Sequence, residues 1–583
     1  MKSFYTLKSF LLKHKWNYII GILWLLLIDT VQLMVPLIYK NLTDSLQDNL
    51  LDTKGLLIYA ALIILSGLII AIGRYFWRMY IQGTSRELEY HLRKKLFNHL
   101  LNLSTNYFNT HKTGDLMAHA TNDINAIRMA MGPGTVMIVD AVFMIILSLF
   151  MMIRTTNLKF TIISVFTMPI IMLLVTRFGK IIYKKFRIVQ ESFSNLTDVT
   201  QESFSGIRVI KSFVQEELVL SKFNDVNEDN LKKNLDLVKI HGMFHPLLQF
   251  IASISFFVLI YYGGRQVLIG VISLGDFVAF NTYLGLLIWP TRAFGMVINV
   301  LQRGAASMDR LNAIFDEVSE IKEVENPISI ENVEGNIVFD NVSFKYPNTN
   351  YYALNNISFK IEKGSTLAIV GRTGSGKSTI VSLLLRLFDI SEGQILLDNI
   401  DIKELSLSTL RESIGFVPQE NFLFSQTIED NISFAYDEKL PIDKVIEAAK
   451  ISQVYDNIIE FPNKFETVLG ERGVTLSGGQ KQRTSIARAL IKRPPILVLD
   501  DSLSAVDTQT EEKILNNLKC ETNGITSIII SHRISTVKDA DEIIYLKDGA
   551  ITERGTHKEL LAQNGDYKKL YEKQLLEEKL SRN

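Results

Sequence analysis

A bundle of six membrane-spanning helices fused to an α/β domain is the fold class that the sequence predicts. Three observations carry it. Six stretches of about 20 mostly apolar residues, long enough to cross a bilayer as helices, crowd the region before residue 300. Runs of that length stop there, and from about residue 335 short strand-like runs alternate with helical patterns. One such strand leads straight into a glycine-rich loop and then a helix. With 583 residues the chain exceeds what one hydrophobic core usually organises, which fits at least two domains. Its 62 basic and 62 acidic residues cancel, so nothing global points to nucleic acid. The single cysteine, Cys520, excludes an intrachain disulfide framework and fits a reducing compartment.

The spans are placed near residues 17–39, 56–79, 134–153, 158–179, 247–269 and 276–299. The first run, preceded by Lys2, Lys8, Lys13 and Lys15, also reads as a cleavable leader, but no small-residue cleavage pattern follows it. Basic residues cluster before the first span, after the second (Arg86, Arg93, Lys94, Lys95) and after the fourth (Lys180, Lys184, Lys185, Arg187). That bias puts both termini and the α/β domain on the cytoplasmic side of the cell membrane. The outer loops, about 41–55, 154–157 and 270–275, are short, whereas the two cytoplasmic loops are long, charged and poor in helix breakers. Helices continuing about 25 residues into them at 1.5 Å per residue would reach about 38 Å below the membrane. The tips fall near Tyr107–Asp115 and Ser205–Glu216. They read either as plain turns at Gly114 or Gly206, or as short helices that dock on the soluble domain.

Residues 1–303 are thus expected to form the membrane domain, 304–334 a charged linker and 335–583 the α/β domain. Asn336–Tyr346 alternates as a strand, and Thr366–Val370 is an apolar strand run. Directly after it stand Gly371, Arg372, Thr373, Gly374, Ser375, Gly376, Lys377, Ser378 and Thr379, a phosphate-binding P-loop between its expected strand and helix. Glycines let backbone N–H groups crowd round phosphate oxygens, Lys377 reaches the β- and γ-phosphates, and the Ser378 hydroxyl holds Mg²⁺. Ile496–Leu499 reads as a buried strand ending in Asp500 and Asp501, and a carboxylate there suits the Mg²⁺ site of a P-loop NTPase. Between these motifs lie Leu476, Ser477, Gly478, Gly479 and Gln480, opening a helical stretch to Lys492. Alone, that is a capped helix start.

In this order, the motifs resemble those of the ABC exporters with six spans and one nucleotide-binding domain, and the resemblance covers nearly the whole chain. It implies ATP and Mg²⁺ as cofactors and gives roles to further residues. Tyr346 matches the aromatic that stacks on adenine, Gln419 the glutamine that senses Mg²⁺ and nucleotide, and His532 the histidine facing the γ-phosphate. Ser504 and Asp507 match the loop between the two ATP sites, and Gly470–Gly473 a segment that meets the coupling helices. Thr113, Gly114, Asp115, Gly206 and Arg208 match the coupling regions themselves. In this family two nucleotide-binding domains close head to tail, so that Leu476–Gln480 would act on the ATP of a partner subunit.

One residue departs from the pattern. Asp501 stands where the family usually has the glutamate that polarises the attacking water. A carboxylate retracted by about 1 Å can lose on the order of 100-fold in rate. An impaired base beside an intact signature resembles one subunit of the bacterial heterodimeric multidrug exporters, with a partner half-transporter that carries the catalytic glutamate. A slow homodimer, a lipid flippase and an ATP-gated channel or regulator remain the other readings. Asp29, Arg74, Asp140 and Arg292 lie in or at the ends of spans, where charges normally face a cavity or a partner. The acidic ones, with aromatics such as Trp24, Phe143 and Phe280 nearby, suit a hydrophobic or amphipathic cationic substrate; an interhelical salt bridge or a water-facing helix end is the other reading for each of the four.

Overall fold

The computed structural model describes residues 2–347, 349–470, 473, 475–521 and 524–582. It falls into two compact units, one of residues 1–101 and 112–317, the other of 102–111 and 318–583.

The first unit is helical. Among the described residues six helices are long and apolar enough to cross a membrane, running over Lys15–Gln47, Thr53–Leu101, Thr113–Thr155, Leu158–Ser205, Glu216–Leu268 and Leu274–Asp316. Their starts follow local chemistry: the side chains of Asp52, Asn157 and Ser273 accept hydrogen bonds from the backbone N–H three residues on. On Thr53–Trp77 only Ser66 and Gly73 are buried, so nearly the whole circumference is apolar and exposed, as a lipid-facing helix requires. Elsewhere the helices bury one stripe. Leu33, Met144, Phe160, Phe280 and Tyr283 share one apolar cluster, in which the Tyr283 hydroxyl donates to the Leu33 carbonyl (2.9 Å). Leu88, Leu92, Ile124, Ile127, Met308 and Leu311 share a second. Polar locks sit between helices: Lys40 pairs with Asp276 (2.6 Å), and the Gly275 N–H donates to Asp44 (2.7 Å). Asp123 lies 2.6 Å from His119 Nδ1 and accepts from Ser307 (2.8 Å) and Arg310 Nε (3.0 Å).

Two boundaries differ from the sequence reading. Residues 304–316, assigned to the linker, continue the sixth helix, because no breaker intervenes and Met308, Leu311 and Ile314 are buried in the second cluster. The first loop tip is divided. Thr105–Thr110 is a short helix grouped with the second unit, where Asn106 donates to Glu320 (2.8 Å), whereas Thr113–Ala118 stays in the first. At the second tip Gly206 separates the long helix from a short one, Ile207–Phe213, which ends at Val214 with φ +53°.

Among the described residues the second unit holds ten strands: β1 (Ile337–Phe344), β2 (Leu354–Ile361), β3 (Thr366–Gly371), β4 (Glu392–Leu397), β5 (Ile400–Asp401), β6 (Ile414–Val417), β7 (Ile496–Asp500), β8 (Thr526–Ile530), β9 (Glu542–Lys547) and β10 (Ala550–Gly555). They form an antiparallel sheet β2-β1-β4-β5 and a mostly parallel sheet β10-β9-β3-β8-β7-β6. Strands β3 and β7 are buried on both faces. Leu367, Ile369, Ile496 and Val498 enter one core, and Ala368, Val370, Leu497 and Leu499 the other. Near-continuous apolar runs are the sequence form of that arrangement. A separate helical core around Leu423, Ile428, Val445 and Leu476 packs beside it.

The chain enters β1 through a carboxylate clamp: Asp398 accepts from the backbone N–H groups of Glu334 (2.7 Å), Gly335 (3.1 Å) and Asn336 (2.8 Å). Replacing Asp398 by Ala leaves three donors short, at a cost of about 2 kcal/mol. In a domain of this size that should lower the thermal midpoint by roughly 4 to 8 °C, measured by thermal unfolding of the purified protein.

Candidate functional site

Parallel order brings the C-terminal ends of β3, β8 and β7 to one edge, where ligands of open α/β sheets collect. Ile369 and Asp500 each pair with Ile530, so the P-loop and the β7 carboxylates lie two strand spacings apart, about 10 Å. Between them opens a cavity of about 480 Å³. Tyr346, Thr373, Gly374, Gly376, Lys377, Ser378, Thr379, Gln419, Asp500, Asp501 and His532 all line it, which unites most of the candidate nucleotide residues.

The loop geometry needs its glycines. Gly376 caps the helix Lys377–Leu384 at φ +100°, and a Cβ there would stand 2.7 Å from the Ala353 carbonyl oxygen. Lys377 is 6% exposed, with Nζ donating to the carbonyls of Gly371 and Arg372, both at 2.9 Å. Burial holds its ammonium below the ordinary lysine range, against the pull of Asp500 and Asp501. Ser375 is buried, and its hydroxyl finds no partner among the described residues.

Asp500 is 5% exposed, and its Oδ1 has no hydrogen-bond partner among the described residues. Burial pushes its carboxyl above the usual carboxylate range, and the Ser378 hydroxyl bonded to it works the other way. A buried, half-satisfied carboxylate beside a hydroxyl fits Mg²⁺, an oxygen-seeking ion that keeps waters and phosphates as its other ligands. Ser378, Gln419 and Asp500 are the residues that would hold it, and the ion would neutralise charge between phosphate oxygens. Asp501 sits at φ +45° with its N–H bonded to the Ile530 carbonyl (2.9 Å).

The ring of Tyr346 is fixed edge-on against Phe344 (4.9 Å) and Phe388 (5.3 Å), and its hydroxyl shares a hydrogen bond with Thr379 (3.0 Å). The motif reading did not single out Tyr351, Tyr352, Asp548 and Gly549, which also line the cavity. The two tyrosines were visible as an aromatic pair shortly after Tyr346. The Asp548–Gly549 turn reaches the cavity only because β9 pairs with β3.

None of Leu476, Ser477, Gly478, Gly479 and Gln480 lines this cavity. Ser477 caps the helix Gly478–Leu490 in a reciprocal box with Gln480, whose Oε1 accepts from the Ser477 N–H (2.9 Å). Gly479 packs so close to the next loop that a Cβ would meet the Ala505 carbonyl oxygen at 2.9 Å. Ser477 and Gly478 are exposed, so a ready-made anion site faces outward on this chain. Behind it Gln482 donates to Ser504 (3.2 Å) and accepts from the Ala505 N–H (2.9 Å), while Asp507 caps the next helix through the Thr510 N–H (2.9 Å).

Of the proposed coupling residues, Thr113, Gly114 and Asp115 open the short helix Thr113–Ala118, and Gly206 and Arg208 lie at the start of Ile207–Phe213. Glu471 and Arg472, in the segment opened by Gly470, lie outside the described residues, as does the side chain of Arg292. In the membrane unit Asp29 is 2% exposed, with Oδ2 unpartnered among the described residues. The Asp140 carboxyl lies within hydrogen-bonding reach of it, Trp289 donates to Asp140, and Arg74 supplies positive charge to both.

Residues 18–291 match the family model described as ABC transporter transmembrane region, and residues 354–504 match that described as ABC transporter. Over 561 residues the chain is 38% identical to the "Probable multidrug resistance ABC transporter ATP-binding/permease protein YheI" of Bacillus subtilis (strain 168), covering 96% of this chain and 95% of that one. It is 36% identical over 570 residues to the multidrug resistance-like ATP-binding protein MdlA of Escherichia coli (strain K12), covering 98% and 96%. It is 33% identical over 585 residues to the ATP-dependent lipid A-core flippase of Pseudomonas aeruginosa, again covering 98% and 96%. A solved structure of a bacterial Atm1-family ABC exporter with ATP bound superposes with a TM-score of 0.77 at 27% identity, over 96% of this chain and 98% of that one.

The raised carboxyl of Asp500 has a measurable sign. Its native state prefers the protonated form, so the stability it contributes is present at acid pH and lost as pH rises through its folded-state value. Asp500→Asn should therefore raise the thermal midpoint of the nucleotide-free protein at neutral pH, with the gain fading towards acid. The same variant should lose the extra stabilisation that Mg²⁺ adds to ATP, which a melting series with ATP and EDTA or Mg²⁺ reads directly.

Proposed function

The chain belongs to the ABC transporters, as a half-transporter whose six-span membrane domain precedes its ATPase domain, and we propose that it is one subunit of a heterodimeric multidrug exporter. Its substrates are hydrophobic or amphipathic compounds, moved out across the cell membrane with both termini and the ATPase domain in the cytoplasm. Tyr346 and the loop Gly371–Thr379 hold ATP, and Ser378, Gln419 and Asp500 hold Mg²⁺. Asp501 and His532 face the γ-phosphate, while Leu476–Gln480 complete the ATP site of a partner that carries a glutamate base.

The observation that carries this reading is the contrast between Asp501 and the signature. The carboxylate at the end of β7 is one methylene shorter than the family's base, which is enough to slow hydrolysis on the order of 100-fold. The outward-facing Ser477–Gly479 helix start keeps its full capping chemistry although nothing in its own cavity uses it. An undamaged donor beside a weakened base suits a division of labour between two unlike subunits. Closure of two such sites on ATP would shift the long helices through Thr113–Asp115 and Gly206–Arg208, and reopening would follow hydrolysis at the partner's base.

The relative named as a lipid A-core flippase supports a second reading, a homodimer that moves lipid. In either case the carboxylates of Asp29 and Asp140 beside the Trp289 indole favour a cargo with an apolar body and a cationic group.

Steady-state ATPase of the purified chain, alone and co-expressed with a second half-transporter that has glutamate at the position of Asp501, tests the proposal. Strong activity is expected only in the pair, insensitive to Asp501→Asn and abolished when the partner's glutamate is replaced. Robust activity of the lone chain that disappears with Asp501→Asn would make it a homodimer. In inverted vesicles, Asp140→Asn should reduce ATP-driven accumulation of a cationic dye several-fold while ATP hydrolysis persists.

A further inference from the structure

The helix Asp566–Arg582 lies outside the nucleotide and coupling motifs, yet one of its side chains grips the loop that carries His532. Its start is anchored. Glu553 accepts from the backbone N–H groups of Asp566 and Tyr567, and Tyr567 is fully buried, with its hydroxyl 2.7 Å from His557 Nδ1. Two turns further along the same face comes Gln574. Its Nε2 donates to the His532 carbonyl (2.6 Å) and its Oε1 accepts from the Ile534 N–H (2.9 Å). One amide thus pins the backbone on both sides of Arg533.

Arg533 in turn reaches the loop between the ATP sites. Its guanidinium donates to the carbonyls of Ser504 and Val506, both at 3.1 Å, and to the buried carboxylate of Glu511 (3.0 Å). Gln482, in the helix that opens with the signature, holds Ser504 and Ala505 from the other side. The polar path Gln574, Arg533, Ser504, Gln482 therefore ties the C-terminal helix and the histidine loop to the signature helix. His532 itself lines the nucleotide cavity with Asp500 and Asp501.

We propose that Gln574 is a positioning residue for nucleotide turnover, which sets the peptide of His532 so that its imidazole meets the γ-phosphate when the site closes. The inference rests on the reading of His532 as the residue facing the γ-phosphate. A side chain hung from a backbone gripped at two points cannot swing away as the loop breathes, and a shift of about 1 Å at such a contact is costly to turnover. Ground-state ATP binding, which depends on the P-loop, is left alone.

The test uses the full-length protein in its purified dimeric assembly. Steady-state ATPase and the retention of labelled Mg-ATP through rapid gel filtration are compared for wild type, Gln574→Ala, Gln574→Glu, His532→Ala and the double variant Q574A/H532A. Gln574→Ala should lower whichever of turnover and retention His532→Ala lowers, by about tenfold, with the KM for ATP unchanged and the thermal midpoint a few degrees lower but still well above the assay temperature. Gln574→Glu, which keeps the size and the acceptor but turns a carboxylate towards the His532 carbonyl, should match it. In the double variant the loss of Gln574 should add nothing to the loss of His532. A harmless Gln574→Ala beside a damaging His532→Ala would overturn the inference and leave the reading of His532 standing. Additive losses, or a loss that disappears when the assay is run further below the thermal midpoint, would reduce Gln574 to a helix anchor. A harmless His532→Ala would sink that reading and the inference with it.

Discussion

A lysine ammonium and two carboxylates stand at the mouth of an apolar sheet, and the ATPase unit is organised round the need to keep them there. Lys377 and Asp500 are each almost fully buried, one with its charge turned onto two backbone carbonyls, the other with an oxygen left bare. Burial disfavours the charged form of both. Isolated charges in such a place would be too costly, and a polyphosphate with its metal ion satisfies both at once. That requirement is met by the parallel order of β3, β8 and β7, in which the P-loop after β3 and Asp500 at the end of β7 emerge at the same edge. It also fixes the glycines of the loop, because a Cβ at Gly376 would close the space between the loop and Ala353.

The membrane unit answers to a different solvent. Its second span buries almost nothing within the chain, while the first, third and sixth interlock through Asp44, Lys40 and Asp276 at one end and through Asp123 and Arg310 towards the other. Apolar contacts cannot distinguish a neighbouring helix from lipid tails, so polar pairs set which helices stay together. Asp29 is buried with its Oδ2 lacking a hydrogen-bond partner among the described residues, and the half-buried Asp140 stands beside it.

What the sequence disclosed, and what it withheld, divides along the range of the interactions. The spans were legible because bilayer thickness imposes a length, and the P-loop and its strand because phosphate binding imposes local spacing. Ser477 and Gln480 were readable as a helix cap three residues apart. The end of the sixth helix was misjudged because charged residues such as Asp309 and Arg310 suggested a linker, whereas Met308, Leu311 and Ile314 keep a helical stripe buried. Tyr351, Tyr352 and Asp548 reach the cavity, and Gln574 the histidine loop, only through sheet pairing and helix docking. Contacts between residues far apart in the chain have no period or motif to betray them.

The backbone at Asp501 bears on the role proposed for its carboxylate. Its φ of +45° lies in the left-handed region, which costs most side chains about 1 kcal/mol or more and which aspartate tolerates better than most. The Ser504 hydroxyl bonds the Asp501 carbonyl (2.9 Å) and the Ile530 carbonyl accepts its N–H, so the loop imposes this conformation and the side chain must live with it. If Asp501 is the residue that faces the attacking water, as proposed, a longer acid there would meet at least the same strain while extending its carboxylate further, and aspartate trades reach for a conformation it tolerates better. Stability and chemistry therefore pull in opposite directions at this residue. On the proposed reading, a subunit relieved of hydrolysis by its partner can keep the residue that strains the backbone less.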